Sequence, residues 1–319
     1  MIETRLLKYF LAIAREQSIT RAAESLFLSQ PTLSRQMKEL EEELGVQLFV
    51  RGKRQTLLTE EGVYLRARAQ EMMSILEKTE TTLKNSGSVI AGDIYAGFGE
   101  SPSVALLMEV YGELQREHPD IHLHIYSGNA ENIFERMDKG ILDIGLLLGV
   151  ERQDKYDYID LPDADAFGVL MPKDHPLAEK PAVTFDDLKN VPLALPQQAV
   201  DGQHPSLPAI WKENDAKNII CTYNLLYNVT FLAEQGTCLV FCLDRLINLQ
   251  GERNLTFRPM EPPVRVPAVL VTKKYQTFSP AVRLFLERIR ARVGADASLH
   301  RSKKPELWRS GFFMRVKHA

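Results

Sequence analysis

The chain has 319 residues, 45% of them hydrophobic and 25% charged, with a formal net charge of −3. That length predicts two or three domains, the composition is that of a globular protein with substantial cores, and the near-neutral total leaves room for a local basic patch. Three cysteines (Cys221, Cys238 and Cys242) argue against a disulfide scaffold and fit a reducing compartment. No apolar run approaches the roughly 20 residues that span a bilayer, and MIETRLLKYFLAIAREQS lacks the apolar core of a signal peptide, so a cytoplasmic protein with no membrane partner is expected.

Leu6, Leu7, Phe10, Ile13 and Ala14 predict an amphipathic first helix ending near Gln17. Ser18 can cap a short second helix, Ile19 to Leu26, where Ala22 and Ala23 permit close helix approach. After the turn FLS, Ser29 is placed to cap a third helix, with Pro31 tolerated in its first turn. Leu33, Met37, Leu40 and Leu44 give that helix a buried stripe. Its first turns hold a polar cluster that a plain structural helix does not need. Two helices joined by a short turn form a helix-turn-helix pattern, in which the second helix presents its N-terminal residues to base edges. On the helix pair alone, DNA contact and mere capping of a surface helix are both open.

Gly45 ends the third helix, and VQLFVRGKRQTLLTEEG alternates apolar residues around Arg51, Lys53 and Arg54, the pattern of a two-stranded wing with a basic tip. Thr59 caps a long helix that carries Glu60 and Glu61 at its positive end. Leu65, Ala69, Met72, Leu76, Thr79 and Leu83 lie on that helix at spacings of three and four, a heptad seam suited to dimerisation, with a buried core helix as the alternative.

The run from FLAIAREQSITRAAESLFLSQPTLSRQMKELEEELGVQLF to R…LT…G resembles the winged helix-turn-helix of LysR-type transcriptional regulators. The resemblance implies that Ser29, Gln30, Pro31, Thr32, Ser34 and Arg35 face DNA, with Lys38 nearby and Arg51, Lys53 and Arg54 in the wing. Pro31 has no donor and at most positions the backbone or makes van der Waals contact.

Beyond Asn85-Ser86-Gly87-Ser88, a polar hinge by composition, GDIYAGF and IHLHIYSG read as strands and LDIGLLLG as a buried strand, alternating with the helices SPSVALLMEVYGELQREHP and NAENIFERMDKGI. This block resembles the effector-binding half of the same family, which has the two-lobed fold of periplasmic solute-binding proteins. The implied fold class is α plus α/β: a winged helix-turn-helix with a long linker helix, then a two-lobed α/β effector-binding domain. The implied divisions are 1–59 for the DNA-binding head, 60–90 for the linker and dimerisation helix with its hinge, and 91–292 for the effector-binding domain. Within the last, lobe one is 91–161 with 266–292 and lobe two is 162–265; 293–319 is a basic extension outside the family pattern.

The resemblance places an effector between the lobes, at the carboxyl ends of the strands. Ser101 and Ser103 in FGESPS lie at a helix N-terminus that favours an anion, although each serine can equally be a cap. Asn129 and Gly149 follow strands of lobe one; Gln197, Gln198, Asn224 and Thr237 are the corresponding positions of lobe two. Neutral polar groups beside helix ends suit a small organic acid as effector. Pro205 and Pro208 interrupt the helical start in DGQHPSLPAIW.

The chain shows no Gly-rich phosphate loop, G-x-S-x-G elbow, H-E-x-x-H or paired C-x-x-C, so no catalytic residue, cofactor or metal is expected. His122 and His124 share a strand face without further ligands, and the environment of Cys238 and Cys242 suggests small apolar roles rather than oxidant sensing. The tail has Trp308, Phe312 and Phe313 among six Arg and Lys residues; docking on a neighbouring subunit, touching DNA and disorder all remain open. The function expected is a sequence-specific, effector-modulated transcriptional regulator, not an enzyme. Its expected partners are double-stranded DNA, a small molecule, a second copy or three further copies of itself, and RNA polymerase if it activates. A solute-capture protein and an enzyme on the same scaffold are the competing readings.

Overall fold

The structure, a computed structural model, describes residues 2–51, 55–84, 90–200 and 218–301. The chain clusters into two compact units, Met1–Val89 with Lys139–Ile141 and Ile90–Asp138 with Leu142–Ala319. The polar hinge at 85–88, the proline-bearing stretch at 201–217 and residues 302–319 of the extension lie outside the described residues.

The first unit contains α1 (Thr4–Glu16), α2 (Ile19–Ser25), α3 (Gln30–Leu44), the hairpin β1 (Phe49–Arg51) and β2 (Thr56–Leu58), and α4 (Glu60–Lys84). Its core is built from the predicted stripes: Leu6, Leu7, Phe10 and Ile13 of α1 meet Ala22 and Ala23 of α2 and Leu33, Met37 and Leu40 of α3. Phe10 also packs against Phe49, with ring centroids 5.3 Å apart, which fastens the hairpin to α1. Truncating a buried leucine in such a core costs about 2–5 kcal/mol.

The long helix α4 uses part of its seam internally. Ala69 and Met73 are buried in the core of the head, and Leu65 and Leu76 pack against it. Met72 is 54% exposed, as are Tyr64, Ile75 and Leu83 to varying degrees. The seam predicted over Leu65, Ala69, Met72, Leu76, Thr79 and Leu83 is therefore split between two faces, one turned to the head and one outward. A single 3.6-residue helix can hold both, because stripes one residue apart lie about 100° apart.

The second unit begins with β3 (Gly92–Phe98), α5 (Val104–Glu117), β4 (Ile121–Ser127), α6 (Ala130–Asp138) and β5 (Ile144–Leu148). It continues through the long β6 (Tyr156–Met171) to α7 (Phe185–Leu188), β7 (Leu193–Pro196) and α8 (Gln197–Val200). After the undescribed stretch come β8 (Ile219–Tyr223), α9 (Leu226–Glu234), β9 (Leu239–Leu243), β10 (Thr256–Pro259), β11 (Arg265–Lys273) and α10 (Pro280–Arg301). The strand order is β4-β3-β5-β11-β6-β9-β7-β8, with β10 also paired to β6.

Two lobes follow from that order. In the first, β3 pairs in parallel with β4 and β5, and β11 runs antiparallel to β5, over a core that includes Ile94, Leu107, Ile144, Leu270 and Phe285. In the second, β9 pairs antiparallel with the end of β6 and in parallel with β7, over Val169, Leu195, Phe241 and Met260. Among the described strands only β6 and β11 run through both. Their register breaks between Pro267 and Val269, which face Ala164 and Asp160, so Leu161, Pro162 and Asp163 form an irregular step between the lobes.

Candidate functional site

The turn between α2 and α3 puts Phe27 at φ 55°, and Leu28 N–H returns to Ala23 O at 2.9 Å. Ser29 then caps α3: its Oγ accepts from Thr32 N–H at 3.3 Å and lies 2.7 Å from Thr32 Oγ1. Ser29, Gln30, Pro31, Thr32, Arg35 and Lys38 are all exposed, while Ser34 is half-buried beside Leu33 and Met37. Sequence order and α-helical spacing thus collect six of the seven expected α3 positions on one outward end.

Charge is polarised along α3. Its first turn holds no acid, while Glu39, Glu41, Glu42 and Glu43 lie toward its far end. An approaching polyanion is therefore favoured only at the N-terminal end, where the helix dipole adds positive potential. Arg35 pairs with Glu39 at 3.7 Å and Lys38 with Glu42 at 3.4 Å, all four side chains largely exposed. Such pairs contribute little in water, and phosphates or bases can displace them at small cost.

The hairpin is held by side chains from both flanking helices. Glu41 Oε1 accepts from Leu48 N–H at 2.7 Å and Phe49 N–H at 3.1 Å. Thr59 Oγ1 accepts from Gly62 N–H at 2.9 Å, capping α4, and donates to Gln47 O at 2.7 Å. A Cβ on Gly62 would lie 2.2 Å from Leu48 O, so only glycine allows this approach. The backbone of Arg51 ends β1; Lys53 and Arg54 lie outside the described residues.

In the second unit a cleft opens between the lobes. It encloses about 690 Å³, including its open mouth. Leu147, Leu148, Phe167, Leu226, Leu243 and Leu246 supply apolar wall, and Asn129, Gln198, Tyr223 and Asn224 supply polar groups. Phe167 is held flat against Phe241, with centroids 4.8 Å apart. Tyr223 donates its hydroxyl to Phe241 O at 2.7 Å, and burial pushes its phenol pKa well above the usual value.

Three of the eight positions expected from the sequence, Asn129, Gln198 and Asn224, line this cleft. Asn129 Oδ1 accepts from Asn132 N–H at 2.9 Å, and Asn224 Oδ1 accepts from Leu225 N–H at 2.9 Å, so both side chains also brace their own turns. The other five lie outside the lining. Gln197 is exposed at the start of α8, and Thr237 is exposed beyond α9 with its N–H on Leu232 O. Gly149 sits at φ 54° and donates its N–H to Pro267 O at 3.0 Å. Ser101 and Ser103 donate their hydroxyls to the two oxygens of Asp165, a carboxylate only 2% exposed, and neither caps α5.

Among the cleft residues that sequence reasoning passed over, such as Phe167 and Tyr223, Glu100 is the charged one. Its Oε2 accepts from Leu226 N–H at 2.5 Å, so a carboxylate from lobe one seats on the N-terminus of α9 in lobe two. The available signal was its place in FGESPS, between a strand end and a helix start. Cys238 and Cys242 are buried, and burial raises the Cys238 thiol to about 11 and the Cys242 thiol further. His124 Nε2 lies 2.9 Å from Asp93 Oδ1 and its ring stacks on Tyr95. Among the described residues no three His, Cys, Asp or Glu side chains gather as a metal site.

A winged helix-turn-helix head and a two-lobed α/β unit with an interlobe cleft, on one chain, define a ligand-responsive DNA-binding regulator. Comparison with known proteins gives the family. The bacterial regulatory helix-turn-helix domain of the lysR family matches residues 4–63, and the LysR substrate binding domain matches residues 89–294. The Hca operon transcriptional activator HcaR of Escherichia coli is 30% identical over 298 residues, covering 92% of this chain and 99% of that protein. The hydrogen peroxide-inducible genes activator of Dickeya chrysanthemi is 28% identical over 189 residues, 59% of this chain and 62% of that protein. In fold, full-length CbnR crystallised with its target DNA superposes with a TM-score of 0.71 at 19% identity, over 91% of this chain and 99% of that chain. The chain belongs to the LysR family of transcriptional regulators, with that family's DNA-binding head and effector-binding domain.

Proposed function

We propose that this regulator reads DNA through the N-terminal end of α3, with Gln30, Thr32 and Arg35 toward base edges and Ser29, Ser34 and Lys38 toward phosphates. Pro31 positions the backbone, and Arg51, Lys53 and Arg54 of the wing engage phosphates or the minor groove. The observation that carries the reading is the exposed, acid-free first turn of α3 beside a side-chain-braced hairpin.

The working form is a homodimer or homotetramer in the cytoplasm, joined through the outward stripe of α4, and it turns over no substrate. No helix among the described residues is long and apolar enough to cross a membrane. Two heads give a two-fold site with half-sites about one or more helical turns apart. HcaR is named as an activator; activation, with RNA polymerase as a further partner, is the sense this supports.

The effector occupies the cleft between the lobes, bounded by Asn129, Gln198 and Asn224. Binding changes DNA occupancy only if the effector favours one arrangement of the heads over another. The organic acid expected from the sequence rests on neutral polar groups beside helix ends, the hydroxyls of Ser101 and Ser103 among them. Asp165 takes the two serine hydroxyls and Glu100 takes Leu226 N–H, which removes those donors from the set and weighs against an acid.

Footprinting on the DNA upstream of the protein's own gene, with a salt titration, tests the reading. A protected two-fold site, held well above bulk DNA, is expected. Binding that is uniform along the DNA and lost steeply with salt would overturn sequence-specific readout.

A further inference from the structure

We propose that the effector is a non-anionic small molecule, an apolar body ending in a nitrogen donor such as an amine, amidine or amide, and that Glu100 selects it. The inference rests on the cleft as effector site and names the chemistry of its occupant.

The charge of the cleft points one way. Among the described lining residues Glu100 is the single ionisable carboxylate, and no Lys, Arg or His accompanies it. Several donors at the helix starts near the cleft are taken up internally. Ser101 and Ser103 hold Asp165 with their hydroxyls, and Ser103 N–H turns to Ser101 Oγ at 3.0 Å. Leu226 N–H, at the start of α9, holds Glu100. An incoming carboxylate would sit close to Glu100 among apolar walls, where like charges are poorly screened.

The same contact prepares Glu100 to receive a donor. A carboxylate has two oxygens and about four acceptor directions. Leu226 N–H takes one of them, and it is the one hydrogen-bond donor Glu100 has among the described residues. The fixed oxygen orients the group, leaving acceptor capacity for a ligand N–H. Glu100 thereby caps α9 from the opposite lobe, since Leu225 at the cap position provides no side-chain acceptor, and the contact uses one oxygen of its carboxylate. Around it, Leu147, Leu148, Phe167, Leu243 and Leu246 suit a ring or short chain rather than a second charge.

Three probes share a ring and differ in charge and donor: benzamidine, benzamide and benzoate. Titration of each into the full-length protein, followed by ligand-observed NMR, should rank benzamidine tightest and benzoate weakest, at least about tenfold apart. Glu100→Gln keeps an acceptor for Leu226 N–H and removes the charge. It should weaken benzamidine about tenfold, leave benzamide nearly unchanged, and narrow or reverse the gap to benzoate. A thermal melt of the variant confirms that it folds. The proposal is overturned if benzoate binds the natural protein as tightly as benzamidine, if Glu100→Gln leaves the order intact, or if no probe binds at roughly 10 mM. Footprinting of the same samples separates the two readings. A reversed probe order with an intact footprint removes the effector class alone; a correct order without a footprint removes the DNA-reading function alone.

Discussion

Ser103 donates its hydroxyl to Asp165 Oδ1 at 3.0 Å, and Ser101 donates to the other oxygen of the same carboxylate. Both serines thereby serve the step in β6 between the lobes, near Leu161 to Asp163. Ser101→Ala leaves a buried carboxylate short of a donor and should cost about 1–3 kcal/mol in urea unfolding of the second unit. Probe affinity in the folded variant should stay close to that of the natural protein. Lost affinity with an unchanged unfolding midpoint would instead make Ser101 an effector contact.

Arg35 and Lys38 should separate in their DNA phenotypes. Arg35→Ala should cost about 1–3 kcal/mol on the cognate site and relax preference at one base pair, as expected for base contact. Lys38→Ala should weaken all sequences alike and lower the salt slope by about one. Gel-shift titrations on cognate and substituted sites at several salt concentrations measure both. Equal losses on every site for Arg35→Ala would assign it to the backbone.

The outward stripe of α4 gives a test of assembly. Met72→Glu places a charge on a half-exposed apolar position that the head's own core does not use. It should shift sedimentation equilibrium toward monomer and abolish the two-fold footprint, while the melting midpoint of the head stays nearly constant. Met73→Glu, one residue on, buries a charge in that core and should unfold the head. Identical behaviour of the two variants would remove the distinction between the faces.

The thiols give a pH prediction. Burial holds Cys238 protonated up to about pH 11 and Cys242 beyond that, so neither forms the reactive thiolate near neutrality. Cys221 is half-exposed. A thiol-reactive disulfide reagent at neutral pH should label one site quickly and the other two only after unfolding. Raising the pH toward 11 should begin to expose Cys238 to reaction. Fast labelling of all three at neutral pH would reopen an oxidant-sensing role.

How far the sequence carries depends on the range of the contact. The head was legible because its signals are local: helical stripes, Ser29 three residues before Thr32, Gly45 at a helix end. The alternating strands and helices of the second unit were legible for the same reason. The cleft was legible only in part. Glu100 meets Leu226 across 126 positions and Ser101 meets Asp165 across 64, and neither partner is marked by any local pattern. Met72 and Met73 show the other limit. Periodicity places a stripe on α4 but does not say which neighbour each face will meet, and one residue changes the answer.

The strand pairing at the centre of lobe one has a consequence for synthesis. Leu148 and Ala268 are register partners 120 positions apart, with all of lobe two encoded between them. At ribosomal rates of about 5–20 residues per second, β5 waits roughly 6–24 s for β11 to emerge. During that interval the apolar edge of β5 is open beside a nascent chain. Lobe two can close first, and the earlier lobe is finished last, so chaperone demand in this protein should peak with the N-terminal half of the second unit already made.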